Sequence, residues 1–132
     1  MIEIITDGHY QLIRKQFENA LHGIKIISPF LSKNMADLLA KAAENGAQCT
    51  FITRFYLQDF LDGSNTLDGL RNMLSAGVKV YAIVGLHTKL YLFDDDKAIV
   101  GSANFTNGGL LYNVELWLYL EREDDICSKL QA

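Results

Sequence analysis

Apolar residues along this chain come in two rhythms, short runs of strand length and stretches with the three-to-four-residue period of a helix. Ile2 to Ile5 reads as a short strand. A helix opens at Asp7 or Gly8 and runs to about His22, with Tyr10, Ile13, Phe17, Ala20 and Leu21 near helical spacing and Gly23 as its stop. Ile24 to Ser28 is a buried-type strand closed by Pro29; Ser32 caps a helix that ends at Asn45-Gly46; Ala47 to Thr53 is the next strand. Arg54 to Asn65 is polar and aromatic, with Asp62-Gly63-Ser64-Asn65 as a loop signal, and Thr66 caps a helix to about Ala76. Val78 to Val84, Leu86 to Phe93, Lys97 to Val100 and Val114 to Leu120 then read as strands, with a short helix from about Asp124. Strands alternating with helices early and consecutive strands late predict an α/β fold, a mixed β-sheet flanked by helices on both faces. Ligands of such sheets gather at the carboxyl ends of strands. That rule makes Pro29-Phe30, Arg54-Phe55 and the loop through Asn65 candidate cleft walls.

The strand from Leu86 to Phe93 carries the chemistry. His87, Lys89, Tyr91 and Phe93 alternate with Leu86, Thr88, Leu90 and Leu92, so His87 and Lys89 share a face. Neighbours on one strand face stand about 6 to 7 Å apart, close enough to touch one phosphate group. Asp94, Asp95 and Asp96 suit a tight turn, after which the return strand delivers Gly101-Ser102-Ala103-Asn104 beside the His and Lys. Glycine lets the backbone come close to a ligand, and the Ser and Asn side chains can donate to phosphate oxygens. Three consecutive aspartates on a turn diverge, so they read as a solvated charge run rather than a metal site. His9 and His22 have no partners in sequence and read as packed or surface residues.

His87-Thr88-Lys89, Asp94 and Gly101-Ser102-Ala103-Asn104 together give the spacing HxK(x4)D(x6)GSxN, and the chain resembles the phospholipase D superfamily in this pattern. The weaker outer pattern, Thr53-Arg54, Asp62-Gly63-Ser64, Gly77 and Asn113-Val114-Glu115, is similar to single-copy domains attached to bacterial helicases and restriction-type nucleases. The resemblance implies the phospholipase D fold, a phosphohistidine formed on His87, and non-bridging oxygens held by Lys89, Asn104 and Ser102. It implies no metal and no cofactor. Glu115, eleven residues beyond Asn104, takes the place of the glutamate that orients the nucleophile in single-copy nucleases of this superfamily, and Asp94 and Gly101 are implied to be structural. The motif occurs once in the chain. Since the chemistry needs a second histidine to protonate the leaving oxygen, a homodimer with the site at its interface is expected.

Length, charge and cysteine usage bound these expectations. The 132 residues, 49% hydrophobic, suit one phospholipase D-like domain spanning 1–132. No apolar run is long enough to span a membrane and the amino end lacks a signal-peptide pattern, so a cytoplasmic protein is the default. Cys49 and Cys127 stand in no ligand spacing and read as buried or incidental thiols. The net charge of −4 is unlike a nonspecific nucleic-acid binder, although Lys25, Lys33, Arg54, Lys89 and Lys97 could make a small positive cleft. Additional domains or a partner are therefore expected if the substrate is DNA. Arg54 reads equally as a second phosphate contact or as the salt-bridge partner of Asp59 or Asp62. The function expected is a metal-independent phosphodiesterase, a nuclease acting on nucleic acid. Two alternatives stand beside it, a phospholipase or phosphatidyltransferase and a non-catalytic dimerisation or nucleic-acid-binding module of a larger machine.

Overall fold

A computed structural model describes residues 1–122 together with 127, 129 and 130. In chain order the elements are β1 (Ile2–Ile5), α1 (His9–Asn19), β2 (Gly23–Ile27), α2 (Lys33–Glu44), β3 (Gln48–Thr53), α3 (Leu57–Leu61), α4 (Leu67–Ser75), β4 (Lys79–Ala82), β5 (Leu90–Phe93), β6 (Lys97–Gly101), a π-helical turn (Gly108–Tyr112) and β7 (Trp117–Glu121). The seven strands form one mixed sheet in the order β1-β7-β6-β5-β2-β3-β4. β2, β3 and β4 run parallel, and every other pairing is antiparallel. The carboxyl ends of β1, β2, β3, β4 and β6 therefore share one edge of the sheet with the amino ends of β5 and β7.

Strand alternation divides the core between the two faces. On one face Ile24, Ile26, Phe51, Tyr91, Phe93, Ile99, Trp117 and Tyr119 pack under Ile13 and Phe17 of α1, Met35 and Leu39 of α2, and Leu70 and Met73 of α4. Each such side chain contributes roughly 1.5–3 kcal/mol by leaving water. On the other face Leu90, Leu92, Ala98 and Leu120 meet Cys127 and Leu130, both helical. Helical residues thus lie on both faces, with the larger layer on one. Cys49 and Cys127 are buried free thiols, and burial pushes Cys49 up to about 11. Among the described residues no helix is long and apolar enough to cross a membrane. The helix expected from Asp124 begins outside the described residues.

Several boundaries differ from the sequence expectation, each for a visible reason. α1 stops at Asn19 because Ala20 turns to extended backbone (ψ 125°). The amides of Leu21, His22 and Gly23, which could have continued the helix, donate instead to the Asp94 carboxylate at 3.1, 2.8 and 3.0 Å. Ser32 stands at the start of α2, but its Oγ accepts from Asn107 N–H at 2.7 Å rather than capping the helix. Thr66 does cap α4, its Oγ1 accepting from Gly69 N–H at 3.2 Å. The stretch expected as a loop after Arg54 contains α3, a single short helix. β5 is half as long as expected. Its neighbour β2 ends at Ile27, paired with Leu90, and Pro29 follows, so residues before Leu90 have no β2 partner to join.

Asp94 holds the far edge. Its φ of 53° is tolerated by Asp in a turn. Burial pushes its carboxyl up, and the three backbone donors outweigh this and hold it below the ordinary carboxylate range. A depressed carboxylate contributes stability that is present above its unfolded value and lost as pH falls through its folded value. Asp94→Ala is expected to cost about 1–3 kcal/mol in denaturant unfolding at neutral pH. The gap between variant and wild type should shrink on acidification below pH about 4, and an unchanged gap would contradict the clamp.

Candidate active site

His87, Lys89, Ser102, Asn104 and Glu115 all lie at the edge where β5 and β7 begin and β6 ends. The register explains why. Tyr91 pairs Ile99 and Ile99 pairs Tyr119; two residues further along, Gly101 pairs Trp117. Continuing that alternation puts Lys89 in the row of Gly101 and Trp117, and His87 in the row of Ala103 and Glu115. By this parity His87, Lys89 and Glu115 leave toward the face that carries α1, α2 and α4, whereas Ser102 has the parity of Val100 on the opposite face. Asp94 stands at the other end of β5, about 13 Å from Leu90 for four residues of strand and further still from Lys89 and His87. The motif is thus split between two edges.

His87 is exposed and Lys89 half-buried, and Lys89 Nζ lies 3.1 Å from His87 Nε2. An ammonium only donates. Nε2 is then the acceptor and the ring proton sits on Nδ1, the tautomer in which Nε2 keeps its lone pair. Gly101 is required by close approach: a Cβ there would overlap Leu116 O and the Trp117 ring. Ser102 N–H donates to Leu116 O at 3.0 Å and Ser102 Oγ accepts from Leu116 N–H at 3.0 Å, so Ser102 fixes the entry to β7. Asn104 has its backbone pressed on Gly109, where a Cβ would overlap it. Its Oδ1 is buried without a partner, leaving Nδ2 as the open end of the amide. Tyr91, fully buried, donates its hydroxyl to Ala103 O at 2.7 Å and so ties the loop between Gly101 and Asn104 to the core. Burial, with the Glu115 charge second, pushes that hydroxyl well above its ordinary value.

Three expected contacts come out differently. Glu115 Oε2 accepts from Asn113 Nδ2 at 3.2 Å, and among the described residues no hydrogen bond joins Glu115 to His87. Arg54 is committed elsewhere. Its Nε and Nη2 reach the two oxygens of Asp59 at 2.7 and 2.9 Å, and its guanidinium lies between the rings of Phe30 and Tyr56, 4.6 and 4.8 Å from their centroids. Of its two readings the structure forms the salt bridge, with the charge already balanced. The five cations expected in one cleft are also dispersed. Lys25 lines a crevice of about 450 Å³ with His22 and Asp94 at the opposite edge, and Lys97 lies 4.0 Å from Asp96 there. That crevice is the larger one, yet it is remote from His87. On the His87 edge a crevice of about 380 Å³ runs past Phe30, Ser32, Ser64, Asn104 and Asn107. Lys33 is at that end and pairs with Asp37 at 3.8 Å.

His9, read from the sequence as a packed or surface residue, is packed. It is buried, its ring meets Trp117 edge to face with centroids 4.6 Å apart, and its Nε2 has no partner. Burial holds its pKa below the ordinary value, against the charges of Glu115 and Asp7. The only signal available was that it follows the strand that pairs with β7, which spacing along the chain does not reveal.

A seven-stranded mixed sheet with His87 and Lys89 at the head of a central strand defines a phospholipase D-like domain. The family described as cardiolipin synthase, PLD-like domain, matches residues 13–132, and the chain belongs to that family. Cardiolipin synthase A of Buchnera aphidicola is 25% identical over 134 residues, covering 93% of this chain, and the chain spans 28% of that relative's length. Cardiolipin synthase A of Klebsiella pneumoniae is 28% identical over 116 residues, covering 86% of this chain and 24% of the relative. Among solved structures the fold is like that of the phospholipase D family member Nuc from Salmonella typhimurium, with TM-score 0.79, 14% identity and coverage of 99% of this chain and 90% of that one. It is also like phosphatidylserine synthase from Haemophilus influenzae, with TM-score 0.68, 15% identity and coverage of 98% and 37%.

The partly buried ion pair makes its own prediction. Asp59→Asn leaves the Arg54 guanidinium without its bidentate acceptor, and thermal or denaturant unfolding should show a loss of about 1–2 kcal/mol. A loss below about 0.5 kcal/mol would mean that the pair behaves as an exposed one.

Proposed function

We propose that this domain cleaves phosphodiesters through a covalent phosphohistidine, with nucleic acid as the substrate class. The observation that carries the reading is the 3.1 Å contact between His87 Nε2 and Lys89 Nζ, with Asn104 at the same edge. His87 Nε2 attacks phosphorus and the P–O bond to the leaving oxygen breaks. Lys89 and Asn104 Nδ2 hold the non-bridging oxygens, and Glu115 accepts a hydrogen bond from Nδ1–H of His87, which keeps its proton as the ring becomes cationic. His87 of a second copy protonates the leaving oxygen, then takes a proton from the water that attacks the phosphohistidine and regenerates His87. The dimer places two such edges face to face. Support for that comes from the exposure of His87 and from Tyr112, Val84 and Val114 at the same edge, 78%, 89% and 100% exposed, which a partner would cover. Nucleic acid is taken as the substrate class because Ser32, Ser64, Asn104, Thr106 and Asn107 offer hydrogen bonds along the crevice on this edge, beside Phe30 and Leu31, the former an aromatic ring on which a base could stack. Phosphatidyl transfer is the second reading, and the family and the cardiolipin synthase relatives favour it.

The two readings separate on substrate. Labelled oligonucleotides and phosphatidylglycerol vesicles are offered side by side in excess EDTA; the proposal expects oligonucleotide cleavage that persists in the chelator. Turnover of vesicles alone would select phosphatidyl transfer, and loss of all activity in EDTA would overturn the metal-free mechanism. His87→Ala should bring the rate to background with unfolding unchanged. Glu115→Gln should lower kcat by about 10² to 10⁴, and an unchanged kcat would remove Glu115 from the mechanism. Specific activity should fall on dilution as dimers dissociate, and a rate per chain independent of concentration in a sedimenting monomer would contradict the shared site.

A further inference from the structure

Five buried side-chain polar atoms among the described residues have no hydrogen-bond partner, and two of them are nitrogens: His9 Nε2 and Trp117 Nε1. The rings that carry these nitrogens touch, centroids 4.6 Å apart at an interplanar angle of 75°. Trp117 is fully buried and His9 is 5% exposed. An indole N–H can only donate, and a buried donor left without an acceptor is costly. Two such groups side by side call for one acceptor that serves both.

Of the two carboxylates felt at His9, Glu115 and Asp7, Glu115 is the one in the segment that leads into the strand of Trp117. It precedes Trp117 by two residues and so leaves β7's line on the same face. Glu115 and Asp7 are the charged groups felt at His9, and Glu115 is also felt at the buried Tyr91. Half-buried Glu115 accepts from the Asn113 amide at 3.2 Å. His87 occupies the corresponding row two strands away, about 10 Å across Ala103, a gap that an imidazole and an extended glutamate close between them.

We infer that His9 and Trp117 form a seat for Glu115: the carboxylate turns in, one oxygen accepts from Trp117 Nε1–H and His9 Nε2–H, and the other accepts from Nδ1–H of His87. His9 is then a positioning residue that acts through Glu115. The inference rests on the proposed pairing of Glu115 with His87, and it gives that pairing a fixed anchor. No proton leaves His9 in this role. The ring stays neutral with its proton on Nε2, in keeping with its burial.

The seat is inferred for the protein in solution without substrate, so its test needs none, and a failure to find turnover would overturn the proposed function and leave this result readable. The chain has one tryptophan and three histidines, so each side-chain signal is assigned by substitution in a ¹⁵N-labelled sample. The His87 titration midpoint and the Trp117 indole resonance are followed in wild type, His9→Phe, His9→Gln, Glu115→Gln and the His9→Phe/Glu115→Gln double variant. Loss of the carboxylate partner lowers a histidine midpoint. His9→Phe keeps the ring packing and removes the donor; it should lower the His87 midpoint in the direction of Glu115→Gln, and the double variant should match Glu115→Gln alone. His9→Gln, which restores an N–H donor, should return the midpoint to the wild-type value. A midpoint unmoved by His9→Phe, or a shift that persists in the Glu115→Gln background, overturns the proposal. If His9→Phe fails to fold, Glu115→Ala decides, because it removes both acceptor oxygens, and an unmoved Trp117 indole resonance there overturns the proposal.

Discussion

The register of β5 is the constraint on which the rest of this structure depends. β5 lies antiparallel between β2 and β6, and its pairing of Leu90 with both Ile27 and Val100 fixes which residues stay inside the sheet and which emerge from it. Pro29 ends β2, so His87 and Lys89 outrun the ladder and stand free at the edge, while Tyr91 and Phe93 of the same parity are locked into the core. A slip of one residue would exchange the faces and bury His87's neighbours in the wrong layer. Asp94 guards against that slip from the far end, by gathering three amides of the chain that enters β2. A motif compact in sequence is therefore two devices in space, a reactive end and a clamp, joined by a short rigid strand.

The parity of His87 with Lys89, the hairpin to Gly101 and the mixed sheet were legible because each depends on local alternation and turn chemistry. Strand lengths were not, since the period of two continues through Leu86 to Lys89 whether or not a neighbouring strand exists to pair with it. Ser32 shows the same limit: its place at the head of α2 is readable, but its capture by Asn107 depends on a residue far along the chain. The five cations looked like one cleft only because a sequence has no edges. Lys25 and Lys97 face the Asp94 end, and Arg54 is neutralised by Asp59 between two aromatic rings. His9 is the reverse case. Its neighbour Trp117 is 108 positions away, and only the pairing of β1 with β7 brings the two rings together.

The fold and family define phosphodiester chemistry, whereas the substrate is set by surfaces that vary between members. The same sheet is found, at low sequence identity, in Salmonella typhimurium Nuc and in Haemophilus influenzae phosphatidylserine synthase. A cation beside a nucleophile serves any phosphodiester, because phosphoryl transfer asks chiefly for positioning and charge neutralisation. On the proposed reading, the choice of substrate falls to the crevice by Asn104 and Asn107 and to the exposed apolar residues around it.

The central claim is that His87 becomes covalently bonded to phosphorus. Its most direct test is to quench the reacting protein in denaturant at alkaline pH, where phosphohistidine survives, and to map the adduct by mass spectrometry of the peptide that carries Leu86 to Phe93. The account predicts a phosphoryl-type adduct on His87 that is absent in His87→Ala. Turnover without an adduct at His87, or an adduct on another residue, would contradict it.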